Sequence, residues 1–324
     1  MTWSGTVSGS IGRTYDSDFR LTSTTVNSGN AVTYQYDADG LVTKAGDLTI
    51  TRSTQHGLIT ATAVGQVTDT RSYNSFGELA AYTAMVGATP VLSESYTRDS
   101  LGRITQKNET IEGQQTTYHY GYDTAGRLVQ VVKTPQGQPA LTTTYAYDAN
   151  GNRLSKADPG GTTSGTYDAQ DRLLTYGSTN YTYNASGDLT SKTQNNTTIT
   201  YDYDVFGNLR KVVLDNGQVI EYVIDGRNRR VGKKIDGVLV QGFLFDGQLR
   251  PTAELDGNNQ VVATFIYGTH VNIPELIVKG GTTYRIIHDH LGSPRLVIDQ
   301  STGAAAQRLD YDESQVPGTY LADL

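Results

Sequence analysis

A short pattern, Tyr-Asp-x-x-Gly, recurs along most of this chain and constrains its fold more than any other feature. It stands at Tyr36-Asp37-Ala38-Asp39-Gly40, at Tyr122-Asp123-Thr124-Ala125-Gly126-Arg127-Leu128 and at Tyr203-Asp204-Val205-Phe206-Gly207-Asn208-Leu209. The acid, or an Asn in its place, falls at Asp16, Asp37, Asn74, Asp99, Asp123, Asp148, Asp168, Asn184, Asp204 and Asp225, mostly 16 to 25 residues apart. The one long gap holds a degenerate copy, Ser53-Thr54-Gln55-His56-Gly57-Leu58-Ile59. A repeat of this length is one supersecondary unit stacked on the next. A residue that recurs in every copy serves the repeat rather than a single catalytic centre.

Each copy reads as a β-hairpin. Tyr118, Tyr120 and Tyr122 alternate into the turn, as do Ile199, Tyr201 and Tyr203, and Val32, Tyr34 and Tyr36. A period of two puts such side chains on one face of a strand, and Tyr, Thr and Val suit a half-buried pleated surface. Asp first and Gly fourth are type I turn preferences, and a left-handed Gly completes a three-residue loop with a bulge. In that register Asp123 faces Arg127 and Tyr122 faces Leu128. The same ion pair is expected at Asp16/Arg20, Asp99/Arg103 and Asp168/Arg172. Exposed pairs of this kind contribute little each, and each Tyr/Leu cross-strand pair adds about 0.2–1 kcal/mol.

Two copies differ. Tyr147-Asp148-Ala149-Asn150-Gly151-Asn152-Arg153-Leu154 carries one extra residue before its leucine. Ile224-Asp225-Gly226-Arg227-Asn228-Arg229-Arg230-Val231 lacks the fourth-position Gly. A one-residue slip changes which side chains reach a face, so a bend or a different loop is expected at both.

Composition agrees with an all-β array. The hydrophobic fraction is 36%, with 22 Tyr against six Phe and two Met, so burial must come from Tyr, Leu, Val and Ile. No long amphipathic helix pattern is visible. The net charge of −7 argues against a nucleic-acid surface. The basic stretch Arg227 to Arg230, continuing at Lys233-Lys234, reads as solvated hairpin surface. The absence of cysteine excludes disulfides and thiolate metal sites. The opening Met1-Thr2-Trp3-Ser4-Gly5-Thr6 has no basic region followed by an apolar run, and no segment reads as membrane-spanning. Export would then need another route, or the chain is an excerpt of a longer one.

The chain divides into zones of one continuous array. Residues 1–225 hold the regular repeats, and 226–324 hold more apolar, less tyrosine-rich copies such as Gly242-Phe243-Leu244-Phe245-Asp246-Gly247. Pro135 to Pro139 and Asp158 to Thr162 read as long hairpin loops, because the repeat resumes at once.

These residues resemble the YD-repeat, or Rhs-repeat, family, which includes bacterial Rhs proteins, wall-associated proteins, toxin-complex B and C components and animal teneurins. The resemblance covers nearly the whole chain. Its sharpest part is His288-Asp289-His290-Leu291-Gly292-Ser293-Pro294-Arg295-Leu296-Val297, which is similar to the signature of the Rhs-associated core region. Gln307-Arg308-Leu309-Asp310-Tyr311-Asp312 fits the segment that comes after that signature in the family. The resemblance implies hairpins spiralling into a curved, shell-like sheet, which in toxin members encloses a C-terminal effector. After Asp312 the sequence departs from the family's Pro-Phe-Gly-like turn, reading Glu313-Ser314-Gln315-Val316-Pro317-Gly318, and the self-cleaving Asp-Pro-x-Gly-Leu motif does not occur before Leu324. Asp158-Pro159-Gly160-Gly161 only echoes it. Neither autoproteolysis nor a toxin activity is therefore carried over.

Candidate sites are few. His288 and His290 flank Asp289, but two imidazoles without a third convergent ligand make a poor metal site, so structural hydrogen bonding is the expected role. The repeated carboxylates sit at turns, not across a cleft. No nucleophile elbow, zinc-binding helix or phosphate loop occurs. His56, His119 and His270 are scattered. The tyrosine rows would suit sugar stacking, though packing between hairpins is the simpler role. The residues expected to matter are thus structural: Tyr36, Asp37, Gly40, Tyr122, Asp123, Gly126, Arg127, Leu128, Tyr147, Asp148, Gly151, Tyr203, Asp204, Gly207 and Leu209 in the turns, and Asp289 to Arg295 in the family motif.

The function expected is a non-catalytic structural shell protein, a β-hairpin wall for encapsulation or surface display in a bacterial toxin or secreted system, extracellular or at the bacterial cell surface, with no cofactor or metal. The alternatives are a filament assembling through exposed sheet edges and a cell-surface adhesion module that binds glycans. An enzyme ranks last, because nothing assembles nucleophile, base and oxyanion donors.

Overall fold

The computed structural model describes residues 1–311; Asp312 to Leu324, with the departure at Glu313–Gly318, lies outside the described residues. The described residues form thirty β-strands and no helix. Consecutive strands pair antiparallel through short turns, as in Gln114–Tyr122 with Leu128–Pro135 and Thr197–Tyr203 with Leu209–Val213. The all-β class with tandem hairpins is thus as expected from the alternation.

The Tyr-Asp turns are the expected loops. Asp123 N donates to Arg127 O, Gly126 N donates to Asp123 O, and Gly126 sits at φ +82°, where a side chain is disfavoured. The ladder slips between Gly121 and Tyr122, which pairs with Leu128. This is the bulge that a three-residue loop requires. In the Tyr36 copy Leu41 and Val42 take the places of Arg127 and Leu128.

Two expectations are corrected. The Tyr147 copy has no longer loop and keeps the common register. Asp148 N donates to Asn152 O, and Tyr147 pairs with Arg153, so arginine occupies the leucine place and Leu154 is half-exposed. The Asp225 copy also keeps the loop, because Asn228 takes the left-handed conformation at φ +57°, which Asn tolerates better than most residues. Asp171 and Phe19 do the same in their copies, at φ +61° and +60°. The copy with a longer loop is the degenerate one, where Gly57 N donates to Ser53 O and Ser53 N to Leu58 O. The ion pairs at Asp16/Arg20, Asp99/Arg103, Asp123/Arg127 and Asp168/Arg172 all form, with both partners partly buried.

The chain separates into two compact units. One comprises Thr97–Lys107 and Gln115–Gln241, and buries Val131, Tyr145, Val212 and Val231. Within it Arg229 is buried against Asp225, so the basic stretch is not uniformly solvated surface. The other comprises Met1–Tyr96, Asn108–Gln114 and Gly242–Leu324. Its core joins residues distant in sequence: Ala45, Leu48, Ile50, Tyr82, Leu92 and Ile111 pack with Ile266, Leu276, Ile287, Leu296 and Ile298. The packing is close at Gly268, where a Cβ would meet Ile50 and Leu48 side-chain carbons at 3.0 Å.

Candidate functional site

The repeated residues make contacts from one hairpin to the next that the sequence alone did not reveal. The Tyr122 hydroxyl donates to Ile104 O at 2.8 Å, Tyr147 to Leu128 O at 2.8 Å, Tyr167 to Arg153 O at 3.1 Å and Tyr183 to Leu173 O at 2.8 Å. Tyr36 reaches Leu21 O and Tyr73 reaches Ile59 O in the same way. In each case the acceptor belongs to the residue in the leucine place of the preceding copy. The turn arginine points the same way. Arg20, Arg103, Arg127 and Arg172 each pair with the Asp of their own turn and lie within 5.3 Å of the ring centroid of the next tyrosine, Tyr36, Tyr122, Tyr147 and Tyr183. Burial raises the pKa of these tyrosines, so they remain protonated donors. The Arg127 backbone N–H and then its guanidinium hold the Asp123 carboxyl below the usual range, and at Asp99 the Arg103 guanidinium leads.

Tyr203 keeps the turn without the arginine. Asp204 N donates to Asn208 O, Gly207 lies at φ +77°, and Asn208 Nδ2 donates to the Asp204 carboxylate. The family motif near the C-terminal end is itself a copy of the repeat. Asp289 N donates to Ser293 O, Gly292 N donates to Asp289 O, Gly292 has φ +84°, and His288 pairs with Pro294. His288 stands in the tyrosine place, Ser293 in the arginine place and Pro294 in the leucine place. Asp289 Oδ1 accepts from the N–H groups of Leu291 and Ser293, while Leu291 is exposed at the loop tip. His288 ends its strand and Asp289 begins the loop, so the two histidines do not lie at alternate positions of one strand.

Behind this loop lies a buried polar seam. Arg285 is 2% exposed; its Nη2 donates to Asp69 Oδ2 at 2.8 Å and to Thr62 Oγ1 at 3.1 Å, and its Nη1 donates to Glu275 O and Ile286 O. Arg71 Nη1 stands 3.0 Å from Asp69 Oδ1, yet neither atom makes a hydrogen bond, so this contact is ionic and poorly aligned. Glu275 accepts from Gly268 N, Thr269 N and the Thr269 hydroxyl, and pairs with His270 Nδ1 at 3.0 Å. Burial pushes the Glu275 carboxyl up, but the His270 contact, the charge of Arg285 and the Thr269 and Gly268 donors outweigh it and hold the pKa at about 2. Farther along, Arg295 grips Glu109 with two bonds of 2.6 and 3.1 Å, and Tyr96 donates to Glu94 at 2.7 Å.

A cavity of about 170 Å³ adjoins the seam, lined among others by Arg71, Tyr73, Tyr82, His270, His288 and His290. The His270 and His288 rings are 6.0 Å apart at their centroids. Burial, and then the charge of Arg285, lower the His288 pKa to about 3, so its ring is neutral at pH 7. No group of three His, Cys, Asp or Glu side chains among the described residues is arranged to hold a metal ion.

Sequence reading missed Asp69, Glu94, Glu109, Glu275 and Arg285. The first three carried a signal: Asp69 is in phase with Val67, Glu94 with Leu92 and Glu109 with Ile111. A charge on the buried phase of a strand demands a partner. The seam positions charges but presents no aligned nucleophile and base. No helix of the described residues is long and apolar enough to cross a membrane.

The chain matches the family description Teneurin YD-shell over residues 2–314. Mouse Teneurin-1 is 24% identical over 288 residues, covering 86% of this chain and 10% of the relative. Chicken Teneurin-1 is 24% identical over 220 residues, covering 66% of this chain and 8% of the relative. Among solved structures, the Tc holotoxin pore of Photorhabdus luminescens superposes with a TM-score of 0.63 at 15% identity, over 95% of this chain and 18% of that one. A TcdB2-TccC3 crystal structure gives 0.62 at 15% identity, over 94% and 18%. At this identity the structures speak to the fold alone. The chain spans about a tenth of the length of the curated relatives and under a fifth of those solved chains.

Proposed function

This chain belongs to the teneurin YD-shell family, and from that premise we propose that it is a length of wall in a β-hairpin shell, acting outside the cell to enclose another polypeptide. The family supports a structural, non-catalytic role. The observation that carries the reading is the staple between hairpins: the Tyr hydroxyl on the preceding carbonyl and the Arg guanidinium on the next ring, repeated from copy to copy. Such a device fixes each hairpin against its neighbour and commits the most frequent aromatic residue to the wall itself. One hairpin alone is marginal in water, while a stacked series buries a continuous face.

The test is native purification of the intact protein followed by mass measurement and protease challenge. A polypeptide that co-purifies and stays protected until the wall is unfolded supports enclosure. A wall with no protected polypeptide, whose outer face instead retains glycans on an array, would replace this reading with the adhesive one.

A further inference from the structure

The cavity beside the polar seam holds unused hydrogen-bonding atoms. His288 is 8% exposed and its Nε2 has no partner, while Arg71 Nη1 meets Asp69 Oδ1 at 3.0 Å in an ion pair without an aligned hydrogen bond. Both residues line the same 170 Å³ space. A buried polar atom without a hydrogen bond is costly, so the unpartnered imidazole nitrogen and the poorly bonded guanidinium beside one cavity call for a ligand rich in acceptors. The nearby carboxylates are largely committed. Asp69 Oδ2 receives Arg285 and Thr62 while its Oδ1 faces Arg71, Glu275 receives Gly268, Thr269 and His270, and Asp289 Oδ1 receives its own loop.

We propose that this cavity binds a small oxyanion, a carboxylate or a phosphate, through the Arg71 guanidinium and the His288 imidazole. Charge-assisted bonds from arginine to such oxygens are strong and directional. A metal ion fits less well. Arg285 and Arg71 both act on His288 to disfavour added positive charge, and no third ligand converges. His270, fixed at Nδ1 by Glu275, borders the same space and adds a donor at Nε2 when protonated. A neighbouring hollow of about 220 Å³ shares Arg71, Tyr73 and His270 with it.

The test titrates the whole protein with sodium phosphate and separately with sodium acetate at constant ionic strength, against chloride, following the imidazole ¹⁵N signals by NMR. A saturable shift of the His288 signals with phosphate or acetate and none with chloride is expected, and the tighter of the two names the class. Arg71→Gln should weaken binding at least tenfold, while His119→Gln, in the other unit, should leave it unchanged. His288→Gln gives a second measurement by calorimetry, with the same tenfold loss. No saturable shift, an equal shift with chloride, or unchanged affinity in a folded Arg71→Gln protein overturns the proposal. So does a response to Zn²⁺ with none to either anion.

Discussion

Arg127 is bonded to Asp123 within its own hairpin and lies over the ring of Tyr147 in the next, its guanidinium carbon 5.0 Å from the ring centroid. It also donates from Nη1 to Asp148 O at 2.8 Å. One side chain thus closes a turn and fixes the following turn beside it. Tyr147→Phe removes the hydroxyl that reaches Leu128 O and is expected to cost about 0.5–1.5 kcal/mol by denaturant titration. Tyr15→Phe is the control, since Tyr15 is 53% exposed in the first copy, and it should be close to neutral. Equal effects at both positions would remove the hydroxyl from the staple.

Phe19 occupies the left-handed place that glycine holds in most turns, at φ +60°, with its ring 88% exposed. A side chain there costs about 1–2 kcal/mol and buries little in return. Phe19→Gly is therefore expected to stabilise the protein by about 1 kcal/mol after the loss of unfolded-chain restriction. A lower melting temperature for this variant would show that the freedom glycine gives the unfolded chain outweighs the relief of the left-handed strain.

The Asp69–Arg285 pair is sealed from solvent, with side chains 1% and 2% exposed. Removing Arg285 leaves the buried Asp69 carboxylate with only Thr62 and the poorly aligned Arg71. Arg285→Leu is expected to destabilise by about 3–5 kcal/mol. The double change Asp69→Leu/Arg285→Leu should recover part of that loss in a double-mutant cycle. A single variant as stable as the parent would mean that water reaches the pair.

Acidification should cost stability in two stages. The folded His288 pKa is about 3 against 6.5 for the free side chain, so the unfolded chain binds the extra proton between these values. Stability is lost as pH falls from about 6.5, with a limiting slope of about 1.4 kcal/mol per pH unit. Glu275 acts in the other window. Its folded value near 2 lies below its ordinary 4.5, so its contribution is present above 4.5 and lost as pH drops towards 2. Melting curves from pH 7.5 to 4.5 should show the first stage, and His288→Phe should flatten it. Arg285, Glu275, His270 and Arg71 all act on His288, and a wild-type melting temperature constant over this range would show that their balance does not keep it neutral.

The local half of the fold was legible because its causes are local. Asp123, Gly126 and Leu128 declare a turn, a bulge and a register within seven residues, and the alternation of Tyr118, Tyr120 and Tyr122 declares the strand. What crosses between hairpins was less so. That Arg127 serves Tyr147 needs the two to lie side by side, which neither residue states. Asn228 and Arg153 misled the reading because the loop tolerates substitutes: a left-handed Asn closes it as glycine does, and arginine fits the place of leucine. The seam was hidden for another reason. Arg285 and Asp69 are joined across 216 positions; Asp69 left a trace as a charge in the buried phase of its strand, while the strand of Arg285 is buried at consecutive positions and has no phase to read.

That same separation sets a timetable. During synthesis at roughly 5–20 residues per second, Asp69 is made on the order of tens of seconds before Arg285, which hydrogen-bonds its Oδ2. Through that interval the early hairpins carry a carboxylate on the face meant for the interior that has only Thr62 and the poorly aligned Arg71 as partners, together with Leu48, Ile50 and Leu92. The first-made hairpins therefore depend on the last-made ones for their own completion, and a nascent chain arrested before Arg285 should be cleaved by protease around Asp69 and Glu94, while one arrested after Arg308 should resist.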